Sequence, residues 1–431
     1  MKNAVLYLNI LFCATFMLAC EQDVEVFHAS GEDRLNFYYE ENAEADSLID
    51  YTFIYLPSEQ MLDTIWFDVE TSGYVTDYPR TISFEQMAVD SNAAIPDVHY
   101  VAFDNPELQN VYVVPEQELP DGEFPTVSYP NPEAAEAFEL ALKLAKEKDA
   151  DLVLATDPDA DRLGVYVKDT KSGEYIALTG NMSGCLLADY EISQIKETKG
   201  LPEDGKLIKT IVTSNLADAI AKYYDVDLIE VLTGFKFIGQ QILGFETTGK
   251  GKYLFGFEES YGCLIGTHAR DKDAIVATMA LCEAAAYYKT KNMTLWDAMI
   301  AMYERYGYYK DGVQAVTMKG IEGLAKIQEI MATLRKEPLK EFCGHKVTSF
   351  RDYQADTITD ITTGEVKPTG LPKSNVLYFD MSDNVWMCIR PSGTEPKIKF
   401  YYGVVGTSLE DADKQSEEMA AAVTKLVESM S

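Results

Sequence analysis

Residues 152–167 read LVLATDPDADRLGVYV. Two apolar runs flank a loop in which Asp157, Asp159 and Asp161 take alternate positions, with Arg162 beside them. Short apolar runs separated by a loop containing Pro and Asp read as two strands joined by a turn. Alternate aspartates in one tight loop bring several carboxylate oxygens around one point, which is the donor set of a hard divalent cation such as Mg2+. An EF-hand loop starting at Asp157 does not fit. Its sixth position is Arg162 instead of Gly, and its twelfth is Lys168 instead of Glu. A solvated turn is the plainer alternative. The placement at the end of the LVLAT strand favours a site, because α/β proteins keep their ligands at such ends.

Working outward from this loop, strands alternate with longer helical stretches. VYVVP (111–115) reads as a strand and residues 132–150 as an amphipathic helix, with Pro132 suited to a first turn. KLIKTIVTS (206–214) reads as a strand followed by the helix LADAIAKYYDV, and residues 273–289 as a strongly apolar helix. Strands are predicted over 376–380, 385–390 and 397–402, with a final helix beginning near Leu409. This alternation predicts an α/β architecture with layered sheets.

The region before residue 110 has a different composition. The net charge of the 431 residues is −33, yet residues 21–109 carry 20 Asp/Glu against two basic residues, while 110–431 carry 50 against 34. Such a break marks two segments of different character. The excess of acid argues against nucleic acid as a partner, since its binding surfaces are basic. A small anionic substrate at a locally cationic site is still compatible with it. Residues 1–20 combine Lys2, an apolar run from Ala4 to Ala19 and the ending Leu18-Ala19-Cys20. That pattern resembles a bacterial lipoprotein signal peptide, with Cys20 as the lipidated residue and membrane contact only through that anchor. Residues 21–50 read as an acidic tether, and 51–104 alternate like a small antiparallel β-sandwich. Cys185, Cys263, Cys282, Cys343 and Cys388 are widely spaced, fit neither a zinc site nor a disulfide framework, and read as buried reduced thiols.

Two more loops offer chemistry. FGFEESYG (255–262) places paired acids and a hydroxyl in a Gly-bounded loop, a set able to hydrogen-bond sugar hydroxyls, and leads into ARDKDA (269–274) with Arg270 and Lys272. RPSGTEPKIKF (390–400) joins two strands through a turn whose Arg390, hydroxyls and N–H groups suit a phosphate. A polar surface turn is the alternative for each loop taken alone.

Together and in this order, TDPDADR, TGFKFIG (233–239), GFEESYG and RPSGTEPK resemble the metal, active-cleft, sugar-recognition and phosphate-binding loops of the α-D-phosphohexomutase family, the phosphoglucomutases and phosphomannomutases. TGFKFIG, GFEESYG and RDKDA look most like the glucose-preferring branch. The resemblance implies a truncated multi-domain phosphohexomutase fold: a partial second domain over 110–205, a third over 206–310 and a C-terminal α+β phosphate-binding domain over 311–431, after a small all-β domain. It implies interconversion of hexose 1-phosphate and hexose 6-phosphate through glucose 1,6-bisphosphate, with Mg2+ held by Asp157, Asp159 and Asp161. Arg162 is implied to orient near a phosphoserine, and Lys236 to act as an acid/base or transition-state group. Glu258 and Ser260 are implied to hold sugar hydroxyls. Arg390, Ser392, Gly393 and Thr394 are implied to hold the non-reacting phosphate, with Arg270 and Lys272 as further anion contacts.

The sequence departs from the family at its nucleophile. The family's serine precedes a histidine, and none of His28, His99, His268 and His345 follows a serine. The serine domain is therefore expected to be missing, with no mutase turnover from this chain alone, an unpaired sheet edge and exposed apolar surface near the junction. A lipid anchor would place the chain in the envelope, whereas the mutase region belongs with cytoplasmic sugar phosphates. A non-catalytic phosphosugar-binding module, a surface lipoprotein and a chimeric sequence are the alternatives.

Overall fold

The computed structural model describes residues 111–118, 122–318, 320–392 and 396–430, together with two strands further upstream. The chain divides into two units, Met1–Val111 and Tyr112–Ser431. In the first unit, β1 (Arg34–Phe37) pairs antiparallel with β2 (Val69–Ser72), with Arg34 opposite Ser72 and Phe37 opposite Val69. β2 falls in the stretch expected to be β-rich and β1 in the acidic tether. Cys20, the signal-like segment and the rest of residues 51–104 lie outside the described residues.

The second unit opens differently from the sequence reading. Residues 111–115 form no strand, and Val111 and Val113 are exposed. The apolar run has the composition of a strand, but a strand needs a neighbouring strand for its N–H and C=O groups; none pairs with it among the described residues, and Val114 O accepts Gln117 N–H at 2.9 Å in a local turn. The expected helix over 132–150 is a 3-10 turn, Ala135–Phe138, followed by α1 (Glu139–Lys148). It ends at Asp149, which takes the left-handed conformation of a helix C-cap at φ +56°. β3 (Leu152–Thr156), β4 (Leu163–Lys168) and β5 (Tyr175–Leu178) make a three-stranded antiparallel sheet in the order β3-β4-β5. Within the described residues β3 and β5 each have a ladder partner on one side only.

α2 (Gly180–Thr198) begins with Thr179, whose hydroxyl accepts from the Met182 N–H. A four-stranded sheet follows in the order β7-β6-β8-β9. β6 (Gly205–Thr210), β7 (Asp227–Val231) and β8 (Lys252–Glu258) are parallel, and β9 (Gly262–Leu264) returns antiparallel to β8. α3 (Leu216–Tyr224), α4 (Phe235–Thr248), α5 (Ala274–Thr290) and α6 (Leu295–Tyr306) complete this layer. α2 packs on β8 through Gly184, where a Cβ would lie 2.2 Å from the Phe257 ring. Parallel strands covered on both faces are buried along their length, as β6 is from Leu207 to Thr210 and β8 from Leu254 to Glu258.

The C-terminal part is an eight-stranded antiparallel sheet in the order β10-β17-β16-β15-β12-β13-β14, with β11 paired on β12. Its strands are β10 (Tyr308–Thr317), β11 (Glu341–Phe342), β12 (His345–Asp352), β13 (Thr357–Asp360), β14 (Val366–Lys367), β15 (Leu377–Met381), β16 (Trp386–Pro391) and β17 (Lys397–Gly406). α7 (Gly320–Lys336) and α8 (Leu409–Met430) carry its other layer. One face buries Ile330, Phe350, Phe379, Met387, Phe400 and Val423. The other turns Tyr378, Trp386, Cys388 and Tyr401 towards Ile211, Val212 and Leu232 of the parallel-sheet layer. This apolar seam sets the sugar and phosphate loops in one frame. Of the five described cysteines, all free, Cys185, Cys263 and Cys388 are buried as expected. Cys343 is half-buried and Cys282 is exposed on α5, because a helix 17 residues long must show one face to solvent. Among the described residues no helix is long and apolar enough to cross a membrane.

Candidate functional site

The aspartate loop is the turn between β3 and β4. It is closed by Asp157 N–H to Arg162 O at 3.3 Å and Ala160 N–H to Asp157 O at 3.0 Å, with Ala160 at φ +54°. Asp157 Oδ1 accepts the backbone N–H groups of Asp161 (3.1 Å) and Arg162 (3.0 Å), so the carboxylate is part of the turn's own scaffold. Its Oδ2 is buried and accepts no aligned hydrogen bond; Arg162 Nε approaches to 2.9 Å as an ion pair without that alignment. One oxygen each from Asp157, Asp159 and Asp161 lie within 4.8 Å of one another, with Asp157 buried, Asp161 half-buried and Asp159 exposed. The sequence expectation of a converging oxygen cluster is met. Burial raises the Asp157 carboxyl, with Asp161 adding to it against the Arg162 N–H and charge. Burial also works against Asp161, but the Lys272 hydrogen bond and charge hold it below the ordinary carboxylate range.

The GFEESYG loop lies beside this turn. Leu163 N–H donates to Tyr261 O at 2.9 Å, and Ala274 N–H donates to Ala160 O at 2.9 Å. Lys272 Nζ stands 2.8 Å from Asp161 Oδ2 and 3.8 Å from Glu258 Oε2, so one side chain touches both loops. Burial opposes its charge, but the Asp161 hydrogen bond and the Glu258 charge raise the ammonium's pKa above its ordinary value. Glu258 is buried at the end of β8, and its Oε1 accepts the Gly234 N–H at 2.7 Å. Burial raises the Glu258 carboxyl, opposed by that N–H and by Lys272. Gly234 is at φ +114°, a conformation that suits glycine, and it ties the TGFKFIG segment to the sugar loop. Lys236 sits in the first turn of α4, exposed, with Nζ 5.0 Å from the Phe237 ring centroid. Ser260 is half-buried in the same loop as Glu258.

Arg270 points elsewhere than Lys272. Its guanidinium donates to the carbonyls of Thr267 (2.6 Å) and Ala269 (2.9 Å) and pairs with Glu246 of α4 at 2.5 Å. Arg390, the last residue but one of β16, stands opposite Lys399 of β17, and Ser392 N–H donates to Lys397 O at 2.8 Å, closing the phosphate-loop turn. Gly393 and Thr394 lie outside the described residues.

Several contributors escaped the sequence reading. Glu259, between the two residues picked from its loop, has Oε2 within reach of the hydroxyls of Thr210 (3.3 Å), at the end of β6, and Thr213 (3.4 Å), in the turn after it. Burial and the neighbouring Glu258 push its carboxyl up to about 7, against Thr210 and Lys399 of β17. Gly180, at the start of α2, allows this approach, since a Cβ there would meet Glu259 O at 2.2 Å and Tyr261 N at 2.5 Å. A glycine opening a helix was visible in the sequence; the loop it packs against was not.

The sequence matches the family descriptions "Phosphoglucomutase/phosphomannomutase, alpha/beta/alpha domain II" over residues 99–173 and "alpha/beta/alpha domain III" over 179–306. The chain is 33% identical to the phosphoglucomutase of Staphylococcus aureus over 383 residues, covering 84% of this chain and 68% of that protein. This chain belongs to the phosphoglucomutase/phosphomannomutase family. The domain II match begins at residue 99, inside the stretch read as β segment, and ends after β4. The domain III match runs from α2 to the end of α6, so α2 travels with the parallel sheet and not with the aspartate loop. The Staphylococcus epidermidis phosphoglucomutase is 34% identical over 364 residues, 83% of this chain and 64% of that protein. This member of the phosphoglucomutase/phosphomannomutase family thus spans about 64% of that relative's length. Among solved structures, it is similar to the open form of Paramecium pp63/parafusin, with a TM-score of 0.49 and 21% identity over 70% of this chain and 50% of that one.

Proposed function

We propose that this chain binds a hexose phosphate, with glucose phosphates favoured, at a site of the kind that serves phosphohexose mutase chemistry between the 1- and 6-phosphates. The observation that carries the proposal is the joining of the aspartate turn to the sugar loop by Leu163–Tyr261 and by Lys272. The donor set fits Mg2+, because it is all carboxylate oxygen and includes a buried Asp157 Oδ2 without an aligned donor. Asp157, Asp159 and Asp161 would hold the ion, and when bound it supplies neutralisation of charge on a transferring phosphoryl group. Glu258 accepts from sugar hydroxyls, with Ser260 donating or accepting beside it. Arg390 and the 392–394 turn take the phosphate that does not react. Arg162, fixed on Asp157, and Lys272 meet the reacting one, and Lys236 is the acid/base candidate from α4.

No serine in these 431 residues precedes a histidine, so the family's phosphoserine loop has no counterpart here. Binding needs no phosphoryl carrier, whereas interconversion does. The test is calorimetry of the pure chain with glucose 1-phosphate and Mg2+, alongside a coupled assay for glucose 6-phosphate. Binding that Asp157→Asn abolishes, without turnover, is the expected result. Asp157-dependent turnover would overturn the inference about the carrier. No binding of glucose 1-phosphate would overturn the proposal.

A further inference from the structure

We infer that Lys272 is a built-in counter-ion of the aspartate turn, holding Asp161 until a divalent cation takes that carboxylate and then passing to Glu258 of the sugar loop. The inference rests on the metal reading proposed above. Three facts of geometry carry it.

The first is the position of the ammonium. Lys272 Nζ is 2.8 Å from Asp161 Oδ2, 3.8 Å from Glu258 Oε2 and 3.7 Å from Asp271 Oδ1, and the side chain is only 14% exposed. Among the described residues, Arg162 and Lys272 are the cations that pair with Asp157, Asp161 or Glu258. Arg162 is fixed across Asp157 and Asp161 and reaches towards Glu133 at 3.7 Å, so Lys272 is the cation that joins the two loops.

The second is the path of its stem. Lys272 runs across β9 over Gly262, where a Cβ would lie 2.0 Å from Cδ and 2.6 Å from Cγ. Any side chain at 262 would push the lysine off this course. The glycine of S-Y-G is thereby explained as a floor for Lys272.

The third is the anchoring of its backbone. Asp273 N–H donates to Cys263 O at 2.9 Å and Ala274 N–H to Ala160 O at 2.9 Å, while Asp273 caps α5 through Ile275 N–H (2.8 Å) and Val276 N–H (3.1 Å). The Cα is pinned to both loops, and the flexible tip alone is left to swing. An ammonium on a four-carbon stem with rotatable donors suits that motion, where a guanidinium fork would not.

A dication among the aspartates and an ammonium on Asp161 would be like charges a few ångströms apart in a half-buried site, where repulsion is poorly screened. One must yield. Glu258 is the acceptor next in reach, so occupancy of the metal turn is passed to the carboxylate that faces the sugar. Coupling of this kind is reciprocal.

The test is calorimetric titration of the full chain with Mg2+ at low ionic strength, using wild type, Lys272→Met, Gly262→Ala and Asp157→Asn. Lys272→Met is expected to bind Mg2+ at least tenfold more tightly than wild type. Gly262→Ala should move the same way, and Asp157→Asn should lose the site. The Lys272 ammonium resonance, assigned in wild type by through-bond correlation to its own backbone, should shift when Mg2+ is added, which tests the idea even if a variant fails to fold. Equal or weaker Mg2+ affinity in Lys272→Met, or an unmoved resonance under saturating Mg2+, would overturn the counter-ion role while leaving the metal site standing. Absence of Asp157-dependent Mg2+ binding in wild type would remove both.

Discussion

Replacement of Lys209 by Met probes the frame that holds the sugar and phosphate loops together. Lys209 is completely buried on β6, one residue before Thr210, which contacts Glu259. Its ammonium donates to Asp218 Oδ2 (2.5 Å), Asn215 Oδ1 (2.7 Å) and Ser214 O (3.4 Å), and lies 3.6 Å from Glu230 Oε1. Glu230 also meets Arg351 at 3.1 Å, and Arg351 grips Asp380 with two hydrogen bonds of 2.9 and 2.7 Å, so the network crosses from the parallel sheet to the C-terminal sheet. Methionine keeps the volume of the stem and opens no cavity. Removing one partner of a buried ion pair costs about 3–5 kcal/mol. Two features lower that here: Glu230 keeps Arg351, and the Asp218 side chain is 49% exposed and can turn to water. The expected loss is therefore about 2–3 kcal/mol. Urea unfolding followed by tryptophan fluorescence suits the measurement, because Trp386 lies in the seam. With a slope of about 2–3 kcal/mol/M the midpoint should fall by about 1 M. Burial opposes the charge on Lys209, but Asp218 and Glu230 raise its pKa above the ordinary lysine value. A group raised in this way contributes fully below its unfolded pKa and loses its contribution only as pH rises through the folded value. The deficit of the variant should thus be constant between about pH 6 and 9. A midpoint shift below about 0.2 M would refute the reasoning, since it would mean that the hydrogen bonds and charge of the buried ammonium contribute almost nothing net.

Three other outcomes are expected. Asp157→Asn keeps an oxygen for the Asp161 and Arg162 N–H groups but removes the buried charge facing Arg162, so metal-free stability should fall by about 1–3 kcal/mol; the gain of about 2.7 kcal/mol that Mg2+ gives at a hundred times its Kd should vanish in thermal unfolding. Glu191 is pushed up to about 7, by burial first and then by Glu283; a carboxyl raised in the folded state costs stability as pH rises from its unfolded value to that one, so Glu191→Gln should stabilise the chain at pH 8, by at most about 3 kcal/mol, and leave it unchanged at pH 4, as read by denaturation at the two pH values. Gly180→Ala brings a methyl to 2.2 Å from Glu259 O and must shift the sugar loop; glucose 1-phosphate affinity should fall at least tenfold in calorimetry while Mg2+ affinity stays within about twofold, the factor of ten being about 1.4 kcal/mol.

The sequence determined what lies within a few neighbours along the chain. The alternation of strands and helices was legible because each element buries one face with its own period, as in β3, β4, β6 and α5. The turn Asp157–Arg162 was legible as an oxygen cluster because its geometry is closed by its own backbone, with Asp157 bonded to residues four and five positions on. The order of the four loops identified the family. Local reading failed at 111–115, where an apolar run promised a strand but only a partner's hydrogen bonds could make one.

Tertiary structure decided which charges meet. Arg270 and Lys272 are two positions apart in one loop, yet one is bound by its own carbonyls and Glu246 while the other joins Asp161 to Glu258. No periodicity distinguishes them, since the difference lies in Gly262 giving Lys272 a path. Glu259 was passed over for the same reason: its partners Thr210, Thr213 and Lys399 come from β6, the turn after it and β17. Periodicity and turn chemistry are written into adjacent residues, whereas electrostatic partnership depends on distance in space, which only the packed chain supplies.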